Sequence, residues 1–181
     1  MVPNRGVGQA MKRRAEMRLR IRDVKVGDAG SIVAILNPII EAGSFTTFDT
    51  PLTVKAESEY ISIFPARGVF LVATLEEEQI VGFQSMEPFA AYTHAFDHVG
   101  VLGTYVDLAW RRRGVASRLF KATFAQARTK GYAKIFTFIR EDNPAALATY
   151  QKHGFRVVGV AEKHARIDGR FIDEVIVEKH L

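Results

Sequence analysis

Three consecutive arginines, Arg111, Arg112 and Arg113, stand just before Gly114 and Ala116 in the stretch YVDLAWRRRGVASRLF, residues 105–120. An apolar, β-branched run precedes them and an amphipathic pattern follows, so they fall where a strand turns into a helix. The first N–H groups of a helix have no acceptor within it and carry its positive end. A glycine at or before that start, with a small residue close behind, lets an anion reach the bare backbone. Arginines at the same bend add positive potential. The combination suits a pyrophosphate. The same residues also describe an ordinary helix start with a solvated basic face, and a single glycine does not separate the two readings.

A second cluster lies in NPAALATYQKHGF, residues 143–155. Asn143 followed by Pro144 is a helix start, with a side-chain cap and a proline at the first helical position. That accounts for both residues structurally, and a ligand contact by Asn143 stands beside it. Tyr150 is about two turns further on and shares a face with Asn143. Taken by itself, a phenol at that place packs into a core. No spacing of histidines and carboxylates calls for a metal.

These clusters must be positioned by strands and helices. Leu19, Ile21 and Val24 alternate and predict a first strand. A helix starting at Asp28 carries Ile32, Ile35, Leu36 and Ile39 on one stripe, and Pro38 should bend or end it. Thr53 is a candidate cap for a second helix, TVKAESEYISIF. Strands near Val69 to Leu75 and from about Gln79 make a hairpin with an acidic turn. AAYTHAFDH is a short helix or a loop. VGVLGTYVDLAW reads as a strand through to Trp110, and its two glycines suggest a bulge or a close backbone approach. The helix after Gly114 turns Leu119, Phe120, Thr123, Phe124 and Ala127 inward, with Gly131 just past its end. The strand AKIFTFI, the helix at Pro144 and a long hairpin turning at Asp168-Gly169 complete the chain. The reading is an α/β fold with a mixed sheet flanked by helices.

The 181 residues are 48% hydrophobic and 25% charged, which suits one soluble domain with a sizeable core. No repeat, linker or low-complexity segment divides it. Residues 1–16 are rich in glycine, proline and charge and are expected to be a disordered basic tail before a domain at 17–181. The absence of cysteine excludes disulfides, thiol catalysis and cysteine metal sites, and fits a reducing compartment. No apolar run is long enough to cross a bilayer, and the N-terminus lacks the apolar segment of a secretory signal, so the expectation is cytoplasmic with no membrane partner. The net charge of +5 admits a nucleic-acid or membrane-surface binder, or a protein whose ligand carries phosphates. No aromatic residue interleaves Lys12, Arg13, Arg14 and Arg18, which argues against nucleic acid.

Arg111-x-x-Gly114-x-Ala116 has the form [QR]-x-x-G-x-[GA], and between a strand and a helix it resembles the acyl-CoA-binding motif of the GNAT N-acetyltransferase superfamily. Asn143, Tyr150, Gly154 and Phe155 resemble that superfamily's second motif. The predicted order β-α-α-β-β-β-α-β-α-β-β agrees from about Arg18 onward. FTTFDTPLT, the Glu87-Pro88-Phe89 corner, YVDLAWRRRGVA and GRFIDEVIVEK are similar to the phosphinothricin-acetyltransferase-like group, which acetylates amino-acid-type amines.

The resemblance implies acetyl-CoA as donor and direct transfer to the primary amine of a small molecule, an amino acid or analogue, with no metal. It implies a pyrophosphate held by Arg111, Arg112, Arg113, Gly114, Val115 and Ala116, and a pantetheine arm along Tyr105, Val106 and Asp107 with Asn143 beside it. Backbone N–H groups near a strand bulge would stabilise the oxyanion. Tyr150 would protonate the leaving thiolate, although the phosphinothricin group typically has a histidine there. That group places a glutamate where this chain has Val101. Glu87, His94, Asp97 and His98 are the candidates to take its part as base, with Glu87 first; each also has a plain surface or corner role. Asp107 stands at a strand end, where it would also serve to hold the turn. Phe45, Phe48 and Phe89 are expected to wall the acceptor site, with Tyr92 and Phe96 extending an aromatic cup. A homodimer is compatible with the resemblance, but no residue identifies an interface. The rival readings are a protein N-terminal or lysine acetyltransferase, and a non-catalytic acyl-CoA sensor.

Overall fold

The structure, a computed structural model, describes residues 19–75 and 79–181. The expected disordered tail, its boundary at residue 17 and the acidic turn lie outside those residues. The elements are β1 (Arg20–Asp23), α1 (Ala29–Glu41), α2 (Val54–Ser62), β2 (Val69–Thr74), β3 (Ile80–Pro88), β4 (Val99–Val106), α3 (Val115–Thr129), β5 (Lys134–Arg140), α4 (Pro144–Lys152), β6 (Arg156–Ile167) and β7 (Arg170–His180). This is the α/β order expected from the sequence. The strands form one sheet in the order β1-β2-β3-β4-β5-β7-β6, and β4 with β5 is its parallel pair.

The helices divide between the faces. Ile32, Ile35, Leu36 and Ile39 of α1 are buried with Ile61 of α2 against Phe70, Val72 and Phe83. On the opposite face Leu119, Phe120, Phe124 and Ala127 of α3 pack with Ile135, Ile139 and Tyr150. Thr53 caps α2, its hydroxyl accepting from the Ala56 N–H at 3.1 Å. Pro38 does not end α1, which continues to Glu41.

The segment VGVLGTYVDLAW differs from its expected form in two ways. The strand stops at Val106; Asp107 then caps a 3-10 turn over Leu108–Trp110, its Oδ1 accepting from the Ala109 N–H at 2.8 Å. The β3–β4 register runs unbroken from Gly82–Val106 to Pro88–Gly100, so there is no bulge. Gly100 instead makes room for a side chain: a Cβ there would lie 2.9 Å from Met86 Sδ.

The feature that positions the site is where β4 and β5 stop pairing. Their register joins Val99–Val101 to Lys134–Phe136 and goes no further. On the other edge of β4, Phe89 N–H donates to Val99 and Asp107 N–H to Val81. Antiparallel partners alternate between bonded and non-bonded pairs. The odd-numbered residues from Val99 to Asp107 therefore bond to β3, and Leu102, Thr104 and Val106 turn their backbone N–H and C=O toward the gap.

Phe120 of α3 is fully buried, stacked on His153 at 4.4 Å and edge-on to Tyr150 at 5.1 Å. Phe120→Ala is expected to destabilise the fold by about 3–5 kcal/mol. The measurement is a lower urea midpoint at unchanged slope.

Candidate active site

Two cavities open where β4 and β5 part. One, of about 350 Å³, is lined from β3, β4, β5 and β7. The other, of about 550 Å³, reaches the start of α3. They share Phe45, Thr104, Tyr105, Asn143, Ala146 and Tyr150, so the two meet at that group.

The larger cavity takes in the glycine-containing turn. Gly114 is the N-cap of α3 at φ 82°, a left-handed conformation that favours glycine, and Arg112 beside it is also left-handed at φ 61°. The first helical bond runs from Arg118 N–H to the Gly114 carbonyl at 3.2 Å. The N–H groups of Val115, Ala116 and Ser117 have no backbone acceptor among the described residues. Arg111, Arg112, Gly114, Val115 and Ala116 line the cavity, as do Tyr105 and Val106. Arg111 lies over the Phe45 ring at 4.0 Å. Burial lowers its pKa, but from so high a value that it stays charged. Two residues expected here are placed elsewhere. Asp107 holds the 3-10 turn, and Arg113 lies over the Trp110 ring at 4.9 Å; neither lines the cavity.

Tyr150 stands where the cavities meet. Asn143 caps α4, its Oδ1 accepting from Ala146 N–H at 3.1 Å while its Nδ2 donates to the Phe45 carbonyl at 3.4 Å. Tyr150 follows on the same face, 7% exposed, with its Oη 2.9 Å from Thr104 Oγ1. Gln84 Nε2 donates to that same Thr104 oxygen at 2.7 Å. Burial pushes the Tyr150 phenol well above its ordinary pKa, with the Thr104 hydrogen bond opposing.

The smaller cavity holds the carboxylate. Glu87 of β3 is the register partner of Val101, and directly opposed residues share a face of the sheet. Both line the cavity. Tyr60 of α2 donates its hydroxyl proton to Glu87 Oε1 at 2.5 Å. Burial, and then that bond to a carboxylate, keep Tyr60 protonated far above the usual phenol range. The other three expected proton acceptors are elsewhere. The His94 side chain is fully exposed and 3.0 Å from Asp97, which pairs with Arg67 at 3.1 Å, and His98 is exposed.

The aromatic cup does not form as expected. Phe45 lines both cavities, but Phe48 is exposed and borders Tyr105, and Phe89 packs on Phe96 and Phe136 at 5.0 and 5.1 Å. Neither Phe48 nor Phe89 lines a cavity, and Tyr92 is 84% exposed. Phe138 joins the lining instead. Thr104, Arg140 and Glu174, which no motif marks in the sequence, also line the smaller cavity. In the sequence Arg140 stands at the end of the apolar run IFTFI, whereas Glu174 lies among the charges of RFIDEVIVEKH with nothing to set it apart.

A family model described as Acetyltransferase (GNAT) family matches residues 40–155. YwnH of Bacillus subtilis (strain 168), named "Putative phosphinothricin acetyltransferase", is 28% identical over 165 residues, 91% of this chain and 99% of its own. The L-amino acid N-acetyltransferase AaaT of Escherichia coli (strain K12) is 32% identical over 77 residues, 42% of this chain and 48% of its own. The crystal structure of a GNAT superfamily phosphinothricin acetyltransferase from Sinorhizobium meliloti in complex with AcCoA matches with a TM-score of 0.83, covering 91% of this chain and 89% of that one. At 20% identity that likeness is one of fold.

Burial raises the phenols of Tyr60, Tyr105, Tyr132 and Tyr150, four of the chain's five tyrosines. An acid raised in the folded state contributes stability that is complete below its unfolded pKa, about 10 for tyrosine, and lost as pH rises above it. Phenolate absorbance of Tyr60 and Tyr150, the most strongly shifted, is therefore expected on alkaline titration to appear only together with unfolding, followed by circular dichroism.

Proposed function

Because this chain belongs to the acetyltransferase (GNAT) family, we propose that it moves an acetyl group from acetyl-CoA directly to the primary amine of a small molecule of amino-acid type. The observation that carries the proposal is the meeting of two cavities at Tyr150, one reaching a basic helix start and the other holding a carboxylate. The relatives' names, phosphinothricin and L-amino acid acetyltransferase, support the acceptor class.

The residues present fit the donor. Bare N–H groups of Val115, Ala116 and Ser117, with Arg111 and Arg112 at the same cavity, suit a pyrophosphate. Leu102, Thr104 and Val106 offer backbone groups along the gap for the amides of an extended arm, with Asn143 across from them. Acetyl-CoA supplies a thioester whose acyl carbon an amine can attack. Glu87, oriented by Tyr60, takes the proton from the acceptor ammonium through its second oxygen. Tyr150, kept protonated by burial, gives its phenolic proton to the departing sulfur, and Thr104 then stabilises the phenolate by donating to it. In this reading Asp107 and Arg113 act indirectly, by shaping the turn.

The first experiment is thiol release from acetyl-CoA across a panel of amino acids, diamines and short peptides. Turnover with small amines is expected; turnover confined to peptides would move the acceptor to protein termini. Tyr150→Phe is expected to lower kcat by about 10²–10⁴-fold while leaving the KM for acetyl-CoA within a few-fold. Gly114→Glu puts a negative charge at the pyrophosphate, so calorimetry should show CoA binding weakened by about ten-fold or more, or at least 1.4 kcal/mol. Unchanged affinity in a folded Gly114→Glu protein would remove the pyrophosphate from this turn.

A further inference from the structure

The smaller cavity carries two carboxylates and one guanidinium: Glu87 and Glu174 line it together with Arg140. They share a face of the sheet. Glu87 is opposite Val101, Val101 opposite Phe136, and Arg140, an even number of residues along β5, is opposite Glu174 of β7. Arg140 is already engaged. Its Nε and Nη2 donate to the Asp142 carboxylate at 2.8 and 2.6 Å, and its Nη1 to the carbonyls of Gly43 and Thr46 at 2.9 and 3.0 Å. Asp142 balances its charge, and the guanidinium serves to pin the loop bearing Phe45.

Glu174 is in a different condition. It is 7% exposed, and its carboxylate accepts no hydrogen bond from any described residue. The imidazole of His164, stacked on Phe138 at 5.1 Å, approaches to 3.9 Å, outside hydrogen-bond range. The Glu174 oxygens open into the cavity, so water or a bound partner supplies the donors that the protein does not. Burial raises its pKa, with His164 and Arg140 opposing, so the charged form is under strain that a close cation relieves. Glu57, buried on α2, adds a further negative charge felt by Tyr60 and Tyr105. Phe45 and Phe138 give the same cavity apolar wall.

We infer that the acceptor carries a second cationic group, an ammonium or guanidinium, that seats on Glu174 while the amine to be acetylated faces Glu87. The second cation provides the donors that Glu174 lacks, and the aromatic walls flank a methylene spacer. An acceptor with an anionic side chain, phosphinothricin with its phosphinate included, meets like charge on both walls, which disfavours it and sets this chain apart from the relative named for that molecule. Within the amino-acid-type amines of the proposed reaction this selects basic amino acids, and it extends the class to diamines. The inference rests on the acetyl-transfer reading for the role of Glu87, but the cation seat at Glu174 can be tested without turnover.

The experiment uses the full chain loaded with CoA and four probes: 1,4-diaminobutane, lysine, butylamine and glutamate. Calorimetry is expected to show the two dicationic probes binding and the other two binding more weakly. A charge-assisted hydrogen bond is worth about 1.5–3 kcal/mol, so Glu174→Gln should weaken the dicationic probes by about ten-fold or more. Glu174→Asp, which keeps the charge, should recover part of the loss. In turnover the same change falls on KM more than on kcat. Lysine against diaminobutane separates a basic amino acid from a diamine. Preference for glutamate or butylamine, or dicationic binding unchanged in a folded Glu174→Gln protein, overturns the inference. No thiol release with any amine, alongside Glu174-dependent binding of diaminobutane, would overturn the transfer reading and leave the cation seat standing.

Discussion

Everything at the candidate site depends on β4 and β5 leaving each other after Val101 and Phe136. A parallel pair that continued would satisfy the backbone of Leu102, Thr104 and Val106 and close the sheet. Because it stops, polar backbone groups face an opening in the middle of the domain, and such groups need a partner from water or from a ligand. The two flanking connections use that opening. The turn after β4 brings the positive start of α3 to one end, and the turn after β5 brings Asn143 and Tyr150 alongside. Arg140 at the end of β5 draws in the loop at Gly43 and Thr46, so the residues that part the strands also wall the space between them.

The opening is electrostatically divided. Toward α3 stand Arg111, Arg112 and unpaired helix N–H groups; toward β3 and β7 stand Glu87 and Glu174. Tyr150 and Thr104 lie between, hydrogen-bonded to each other. An anionic donor and a cationic acceptor would each enter from the side of opposite charge, and the phenol where they meet is one that burial keeps neutral. The junction between the two signs of charge is apolar enough to hold a proton on tyrosine.

The carboxylate illustrates how register can replace sequence position. The resemblance to phosphinothricin-type enzymes calls for a glutamate where this chain has Val101. Glu87 is the residue directly across from Val101 on the next strand, facing the same way. An acidic group thus reaches the same cavity from β3, at a place more than ten residues away in the chain. Tyr60, from a helix on that face, fixes one of its oxygens.

The sequence by itself determined the elements and the donor-side turn. Period-two and period-3.6 patterns mark strands and helices because each buries one face, and the places of Arg111, Gly114, Asn143 and Tyr150 at helix starts and on helix faces are legible because local geometry fixes them within a few residues. Local chemistry also made Asp107 legible as a possible turn-holder, which is where its side chain is found. Only the tertiary structure decided which distant residues share the smaller cavity. Glu87 stood first of four candidates, but only the β3–β4 register put it opposite Val101 and left His94, Asp97 and His98 outside the cavity. Arg140 and Glu174 drew no attention because their meeting depends on the pairing of β5 with β7, and Phe48 and Phe89 were expected at the site because aromatic loop residues look alike whether they pack or line a cavity. Strand pairing joins residues far apart in the chain, and that information lies in the sheet's register rather than in any one segment.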